Sequence, residues 1–195
     1  VDGSSIPCSI GKPLRGCEVK VVDDEGRELP PNQIGELICR GPLMKGYYNN
    51  PKATAEVIKG GWLYTGDIGR IDSEGNIFIT GRKKDLIIIK GQNVSPSDIE
   101  WVLLHHPKVA EVAALGIPDE PRGEVVGVVI RLKDGVTATE SEIKRFCLER
   151  LANYKTPKQV FFVDSMPKTN KGKIDKEALR ELLSIPPIFP RVAVF

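Results

Sequence analysis

The segment TGRKKDLIIIKGQNVSPSDIE, Thr80–Glu100, marks the point where the character of the sequence changes. It opens with a predicted tight turn at Gly81-Arg82, continues through a short apolar strand, and passes Lys90-Gly91 into the start of a helix. Two interpretations of this pattern stay open. The segment is either a solvated basic hairpin, which is the ordinary state of exposed Arg and Lys, or a site that holds an anion.

The residues before this segment have the pattern of a β-rich domain. In residues 17–29, apolar and polar side chains alternate on both sides of an Asp-Glu-Gly turn, which predicts a hairpin. A second strand is predicted to end at Gly41-Pro42. A short helix is predicted to begin near Pro51. Short strands at this spacing are typical of a small barrel or sandwich. We expect the next three strands at about residues 62–64, 68–72 and 76–80.

The residues after the segment predict a mixture of helices and strands. A helix should begin after Ser95 or Ser97 and stop at Pro107, with its apolar face, including Trp101 and Leu104, in the core. Two apolar strands, a helix that opens with a Thr139–Glu142 capping box, a third strand and a last helix are then expected. These elements are predicted at 109–118, 123–132, 138–152, 159–164 and 176–183.

Composition excludes several classes of function. Lys and Arg (28) nearly balance Asp and Glu (26), and the net charge of +2 argues against a general nucleic-acid binder or a polybasic membrane binder. No apolar stretch approaches the roughly 18 residues of a membrane span. The four cysteines form no CxxC pair and the adjacent His105 and His106 are poor metal co-ligands, so we expect no zinc site and reduced thiols in a cytoplasmic protein. The N-terminus has no signal-peptide pattern.

Asp67 in the motif YTGDIG is the first candidate for a binding role. We expect Gly66 to form a turn that presents Asp67 at the end of a strand, where its carboxylate accepts two hydroxyl groups of a ribose diol. The alternative is an Asp that caps its own turn. Arg82 offers a rigid fork of donors suited to phosphate or ribose oxygens, against the alternative of a solvated hairpin.

A lysine-rich loop in MPKTNKGKIDKEALRE is the second candidate. A lysine on this glycine-containing loop between a strand and a helix is able to reach a phosphate or a developing negative charge. The alternative is a charged, exposed turn. The loop lacks the full spacing of a P-loop, and no Ser/His/Asp or Cys/His set predicts a nucleophilic triad. The lysines that we expect to crowd this loop are Lys168, Lys171, Lys173 and Lys176.

Five segments in order resemble successive motifs of the adenylate-forming superfamily. They are GELICRGPLMKGYYNNPKAT, GWLYTGDIGRID, GRKKDLIIIKGQNVSPSDIE, HPKVAEVAALGIPDEPRGE and YKTPKQVFFVDSMPKTNKGKI, and the resemblance covers about residues 6–183. The superfamily includes acyl-CoA synthetases, carrier-protein adenylation domains and luciferases. The form GQNVSPSDIE is more similar to free-standing acyl-CoA synthetases than to carrier-protein adenylation domains, and Ile88 weakens a resemblance to luciferases.

The resemblance implies a two-step reaction. A carboxylate attacks the α-phosphate of ATP to give an acyl-adenylate and pyrophosphate, and a thiol, usually coenzyme A, then displaces AMP. It implies that Asp67 binds the ribose hydroxyls, that Arg82 contacts the ribose side, and that Asn93 approaches AMP or its phosphate. It also implies that Lys173 stabilises charge in the adenylation step.

The resemblance further implies a domain rotation between the two steps. Lys84 would be the hinge between a large and a small domain, and Lys90 and Gly91 would meet the pantetheine arm of coenzyme A after the rotation. We therefore expect an α+β chain with a β-rich, barrel-like end of a large AMP-binding domain at 1–83. A small mobile α+β domain at 84–183 and a tail at 184–195 would follow.

By this resemblance the chain is the C-terminal part of an ATP-dependent acyl-CoA synthetase that is inactive alone. The phosphate loop, the acyl pocket and most ligands of Mg²⁺ would lie in a missing N-terminal part, with no metal site in this chain. The expected partners are a carboxylic acid, ATP, coenzyme A and that N-terminal domain, without nucleic acid or a membrane span. The alternatives are a carrier-protein-loading adenylation domain and a non-catalytic module that binds nucleotide or a partner.

Overall fold

The structure, a computed structural model, describes residues 6–183 and residue 185, so the predicted tail lies almost wholly outside the described residues. The chain divides into two compact units, one that ends at Lys84 and one that begins at Asp85. The predicted roles of these units as parts of two domains stay a prediction. No helix in the described part of the chain is long and apolar enough to cross a membrane.

The first unit is built on a five-stranded antiparallel sheet in the order β1-β2-β4-β3, with β5 also paired to β4. One face of the sheet carries a small core in which Val21, Leu37 and Ile77 are buried. Asn50 caps the one helix of the described part of this unit, since its side chain accepts from Ala53 N. In chain order the elements are β1 (Glu18–Val22), β2 (Gly35–Arg40), α1 (Pro51–Val57), β3 (Ile58–Lys59), β4 (Trp62–Ile71) and β5 (Ile77–Arg82).

Three sequence predictions for this unit are corrected by the structure. The strands expected at 62–64 and 68–72 are one strand, β4, because the glycine between them forms a bulge rather than a turn. The predicted turn at Gly81-Arg82 is the end of β5, where both residues pair with β4. The hairpin predicted at residues 17–29 keeps its turn, but its return arm forms a single bridge, Val22 to Glu28.

The second unit has a sheet in the order β10-β9-β6-β7, with β8 paired to β9. All the strand pairs in this sheet are antiparallel except β9 and β10, which run parallel. A single helical turn at Lys83–Asp85 precedes the sheet, and another lies at Asn153–Lys155. The elements are β6 (Ile87–Ile89), β7 (Gln92–Val94), α2 (Pro96–Leu104), β8 (Val109–Asp119), β9 (Gly123–Leu132), α3 (Glu140–Leu148), β10 (Gln159–Phe162) and α4 (Lys176–Leu182).

The sheet of the second unit is covered on both faces. Alternate residues of β9 enter two cores, so Val126 packs with the cluster that includes Ile99 of α2 and Ile143 of α3, whereas Val129 packs with Leu179 of α4. A strand that is buried on both faces has no polar face to alternate with its apolar one. This explains why β8 and β9 appear in the sequence as continuous apolar runs, and the predicted α+β class is confirmed.

The outer side of β8 has no neighbouring strand among the described residues, and three side chains bond its backbone. Glu100 accepts a hydrogen bond from Ala114 N at 2.9 Å. Lys176 donates to the carbonyl oxygen of Ala114 at 3.2 Å and to Glu100 at 2.7 Å. The buried Arg180 donates to the carbonyl oxygen of Gly116 at 3.0 Å. Backbone groups along this edge are therefore satisfied by charged side chains of α2 and α4.

The expectation that Trp101 and Leu104 lie in the core is wrong. Their exposed fractions are 65% and 54%, whereas Ile99 and Leu103 on the same helix are fully buried. The buried face of this nine-residue helix consists of Pro96, Ile99, Val102 and Leu103, and Trp101 and Leu104 lie outside that face. The Trp101 ring instead contacts the His105 ring on the surface, with centroids 4.3 Å apart.

Candidate functional site

A three-residue bulge in β4 sets the position of Asp67. The register between β2 and β4 shifts so that Thr65, Gly66 and Asp67 lie opposite Leu37 alone. Gly66 has a φ of +70°, a conformation that side chains other than glycine rarely adopt. The Thr65 hydroxyl donates to the Leu37 carbonyl oxygen at 2.6 Å and accepts from Asp67 N at 3.0 Å. Bulges of this kind turn a side chain away from the direction that a regular strand would give it.

Asp67 and Arg82 are brought together by the pairing of β4 with β5, in which they lie directly opposite each other. The Arg82 Nε and an Asp67 carboxylate oxygen are 3.1 Å apart, and the two side chains are 59% and 27% exposed. An ion pair this open to solvent contributes roughly 0–1 kcal/mol to stability. The pair therefore adds little to the fold, but it presents an acceptor and a fork of donors side by side at the surface of the unit.

A buried carboxylate lies behind this pair. Glu36 accepts from Gly66 N at 3.2 Å and from Lys83 Nζ at 3.0 Å, and Lys83 also donates to Asp24 at 2.6 Å. Burial alone would lower the pKa of Lys83, but the hydrogen bonds to Asp24 and Glu36 outweigh it and raise that pKa. Lys83 is therefore a cation that lies between two carboxylates at neutral pH.

Lys90 and Gly91 form the two-residue turn of the β6–β7 hairpin. Their φ angles of +50° and +78° are those of a type I′ turn, which matches the twist of the two strands. The sequence predicted β6 but not β7. Asn93 lies on β7 opposite Ile88 and is half-buried. The hairpin is fixed to the rest of the sheet because Lys90 N donates to the Arg122 carbonyl oxygen at 2.9 Å.

A cleft of about 340 Å³ lies beside this hairpin within the second unit. Its wall is largely apolar, and the residues that line it are Ile89, Lys90, Arg122, Val125, Val126, Asn153, Tyr154 and Lys158. Tyr154 is 46% exposed. An aromatic ring beside cations is able to stack on a base while the cations contact phosphate oxygens.

Lys173 lies on a tight loop closed by a bridge between Lys168 and Ile174. Thr169 N donates to the Lys173 carbonyl oxygen at 2.8 Å, and Gly172 takes a φ of +76° to make the turn. The Lys173 side chain is exposed and forms no hydrogen bond or ion pair with any residue in the described ranges 6–183 and 185. It is therefore free to contact another molecule.

The predicted crowding of four lysines on this loop is only partly right. Lys168 pairs with Glu111 at 2.7 Å, and Lys176 pairs with Glu100 at the same distance. The hydrogen bond from Lys168, with a second from Arg131, lowers the pKa of Glu111. These two lysines hold the loop and α4 to the sheet, whereas Lys171 and Lys173 remain exposed.

Sequence reasoning missed Glu36 and Thr65, which fix the bulge. The signal for Glu36 was present, since a lone carboxylate within the otherwise apolar strand GELIC predicts a buried partner. Among the described residues no three His, Cys, Asp or Glu side chains are grouped so that they could hold a metal ion. Burial raises the pKa of the Cys147 thiol to about 11, so this cysteine is not a thiolate at neutral pH.

Two family models match the chain. The model described as AMP-binding enzyme matches residues 2–48, and the model described as AMP-binding enzyme C-terminal domain matches residues 98–173. Apart from Lys173 at the end of the second match, the site residues predicted from the sequence lie between the two matched ranges. That intervening part is covered by longer alignments with individual relatives.

The chain is similar to several CoA ligases over most of its length. It is 48% identical over 174 residues to a long-chain-fatty-acid–CoA ligase of Escherichia coli O6:H1, which covers 89% of this chain and 31% of the relative. It is 42% identical over 176 residues to a 2-succinylbenzoate–CoA ligase of Geobacillus kaustophilus, which covers 90% of this chain and 36% of that relative. The chain thus spans about a third of the length of the curated relatives it matches.

The fold agrees with these sequence matches. The crystal structure of ATP-bound MatB from Rhodopseudomonas palustris superposes with a TM-score of 0.85 and 38% identity, over 93% of this chain and 37% of that one. Two family models, relatives above 40% identity and a shared fold agree with one another. The chain belongs to the family of AMP-binding, adenylate-forming enzymes, as a partial match that includes their C-terminal domain.

Proposed function

We propose that the chain is the C-terminal part of an ATP-dependent acyl-CoA synthetase. The complete enzyme would join a carboxylic acid to the α-phosphate of ATP with release of pyrophosphate, and would then transfer the acyl group to the thiol of coenzyme A with release of AMP. The observation that carries the proposal is the Asp67–Arg82 pair, which stands on a bulge whose backbone is fixed by Thr65 and Glu36.

The proposed nucleotide-binding residues offer groups suited to ribose and phosphate oxygens. The Asp67 carboxylate would accept both ribose hydroxyls, and Arg82 would exchange its weak pairing with Asp67 for contacts on the ribose side. Asn93, which is half-buried on β7, would approach AMP or its phosphate. The related MatB structure contains ATP, which supports a nucleotide as the ligand.

Lys173 is the residue that we propose as catalytic. Its exposed ammonium group stands on a tight loop, so it is able to stabilise the charge that develops on the α-phosphate as the carboxylate attacks. We propose Lys84 as the hinge between the two units. A rotation at this residue would let Lys173 serve the first step and be withdrawn before the second.

The second step would use the β6–β7 hairpin. We propose that Lys90 and Gly91 contact the pantetheine arm of coenzyme A, where a residue without a side chain permits close approach to the backbone. The neighbouring cleft supports this role, because Lys90, Arg122 and Lys158 offer positive charge for the phosphate groups of the same molecule.

The test uses the whole enzyme, expressed with the upstream residues that the proposal requires, and a panel of fatty and aromatic acids. AMP release that depends on coenzyme A is the expected result. Replacement K173A should slow acyl-adenylate formation by about 100- to 1000-fold, the usual loss for one group that stabilises a transition-state charge. It should spare thioester formation from supplied acyl-adenylate.

The matched control is K171A, which removes another exposed lysine two residues away on the same loop. It should leave both half-reactions near the wild-type rate. Equal losses of both half-reactions in K173A would contradict the assigned role. Acyl transfer only to a carrier protein would favour an adenylation domain of that kind, and no AMP formation with any acid would favour a non-catalytic binding module.

A further inference from the structure

Glu36 is a buried carboxylate on β2 that the proposed reaction does not use directly. Its exposed fraction is 6%, and it stands in a strand whose neighbours Leu37 and Ile38 are also buried. A carboxylate removed from water is costly unless hydrogen bonds and an opposite charge compensate it. The hydrogen-bond donors to its two carboxylate oxygens therefore show which segments of the chain Glu36 fixes.

Each carboxylate oxygen of Glu36 holds a different segment. One oxygen accepts from Gly66 N at 3.2 Å, and Gly66 directly precedes Asp67. The other accepts from Lys83 Nζ at 3.0 Å, and Lys83 directly follows Arg82. One side chain thus bonds the residue next to each member of the Asp67–Arg82 pair.

The backbone needs such a support at this point. The bulge places three residues opposite one and leaves Gly66 in a left-handed conformation, in which the chain has more freedom than in a regular strand. The Asp67–Arg82 pair is too exposed to fix its own geometry. On the β2 side, the position of the Asp67 backbone then depends on the Thr65 hydroxyl and on Glu36, while the pairing of β4 with β5 holds its other side.

We propose that Glu36 is a positioning residue for nucleotide binding, which clamps the bulge before Asp67 and the segment after Arg82 through one buried carboxylate. This inference rests on the proposed function, because it assumes that Asp67 and Arg82 bind the ribose. Glu36 itself touches no substrate. Its removal acts on the affinity for ATP, while the groups that stabilise the transition state remain in place.

The experiment compares E36A with E36Q in the whole enzyme, by adenylation kinetics at varied ATP. In E36A the KM for ATP should rise about tenfold, the effect of losing one hydrogen bond to a charged group, with kcat within about threefold of wild type. The Gln variant keeps an acceptor oxygen of the same reach for Gly66 N but turns an NH2 donor toward Lys83, so its KM should lie between those of wild type and E36A. A residue needed only for folding would give no such separation of KM from kcat.

The matched control is E28A, which removes an exposed carboxylate paired with Lys20 in the same unit. It should leave the KM for ATP unchanged. Should E36A fail to fold, E36D makes the same comparison, because it keeps the charge but withdraws the oxygens from Gly66. Its KM should then rise as expected for Ala.

Different results would contradict the role of Glu36 and the proposed function of the chain. An active wild-type enzyme whose E36A or E36D variant keeps the wild-type KM for ATP would overturn the role of Glu36 and leave the proposed function standing. The same holds if E36Q raises the KM as much as E36A. A wild-type enzyme that forms no acyl-adenylate with any acid would overturn the proposed function and this inference with it.

Discussion

The imidazole of His106 is buried at the end of α2, where it meets the start of α3. Its exposed fraction is 4%, its ring stands edge-on to Phe146, and its Nε2 is 3.6 Å from a Glu142 oxygen. Burial lowers the pKa of His106. The nearby Glu142 opposes this shift and the cations of Lys108, Arg150 and Lys133 add to it. The neutral ring is therefore the form that the folded chain accommodates.

This pKa shift predicts a pH dependence of stability. The unfolded chain takes up a proton at His106 near pH 6.5, and the folded chain does so only at lower pH. The free energy of unfolding should then be constant above about pH 7 and should fall as the pH drops through about 6.5. Urea unfolding of the 195-residue chain at a series of pH values measures this. H106Q should flatten the slope between pH 6.5 and 5, whereas the exposed-site control H105Q should retain it.

Gly66 gives a second prediction at the scale of one residue. A Cβ built on Gly66 meets no atom within 4 Å, so the cost of G66A comes from its φ of +70° alone. We expect a loss of about 1–2 kcal/mol in the free energy of unfolding, measured by chemical denaturation. G66N should cost less, since Asn tolerates the left-handed region better than Ala. Equal losses in the two variants would contradict a purely conformational cost.

At the scale of single elements, the start of α3 depends on one hydroxyl. Thr139 accepts from Glu142 N at 3.2 Å, and the helix that it caps buries Ile143 and Cys147. T139A should lower the free energy of unfolding by about 1 kcal/mol, and T139S should retain most of it because its hydroxyl is able to make the same bond. A Ser variant as unstable as the Ala variant would show that the cap bond contributes nothing.

The elements of the second unit were predicted well because local patterns define them. Thr139 marks a helix start, Pro107 marks an end, and the apolar runs of β8 and β9 are long enough to be distinguished from loops. Local patterns gave the wrong prediction at Gly66, because a glycine between two apolar runs predicts a turn. Whether it makes a turn or a bulge depends on the pairing of β4 with β2, which is a contact distant in sequence.

The candidate site was predictable in part for a similar reason. Asp67 and Arg82 followed from motifs that resemble the family, and the sheet register brings them together. The apolar strand around Glu36 signals a buried partner, but the contacts that Glu36 and Thr65 make depend on the register of β2 against β4, which no local pattern carries. The error at Trp101 arose because an apolar residue on a short helix is placed by the width of the buried face rather than by its hydrophobicity.

At the scale of the whole molecule, the chain matches only part of the length of the CoA ligases that it resembles. It spans 31% and 36% of two CoA ligase relatives, and Asp67 and Lys173 lie in two different compact units. We predict that the 195-residue chain alone catalyses no carboxylate-dependent exchange of pyrophosphate into ATP. The assay uses an acid panel, with a complete long-chain-fatty-acid–CoA ligase as the positive control. Exchange above background by this chain would contradict the prediction.

The side chains that bond the outer edge of β8 also have a consequence for self-association. An open strand edge is a template on which another molecule adds a strand, and such addition leads to aggregation. Glu100, Lys176 and Arg180 occupy the backbone groups that an incoming strand would need. E100A should therefore aggregate faster than wild type under mild denaturing conditions, as followed by light scattering, whereas the control E177A, with the same charge change at an exposed position of α4, should not. Charged side chains of α2 and α4 thus occupy the strand edge of the second unit at these backbone groups.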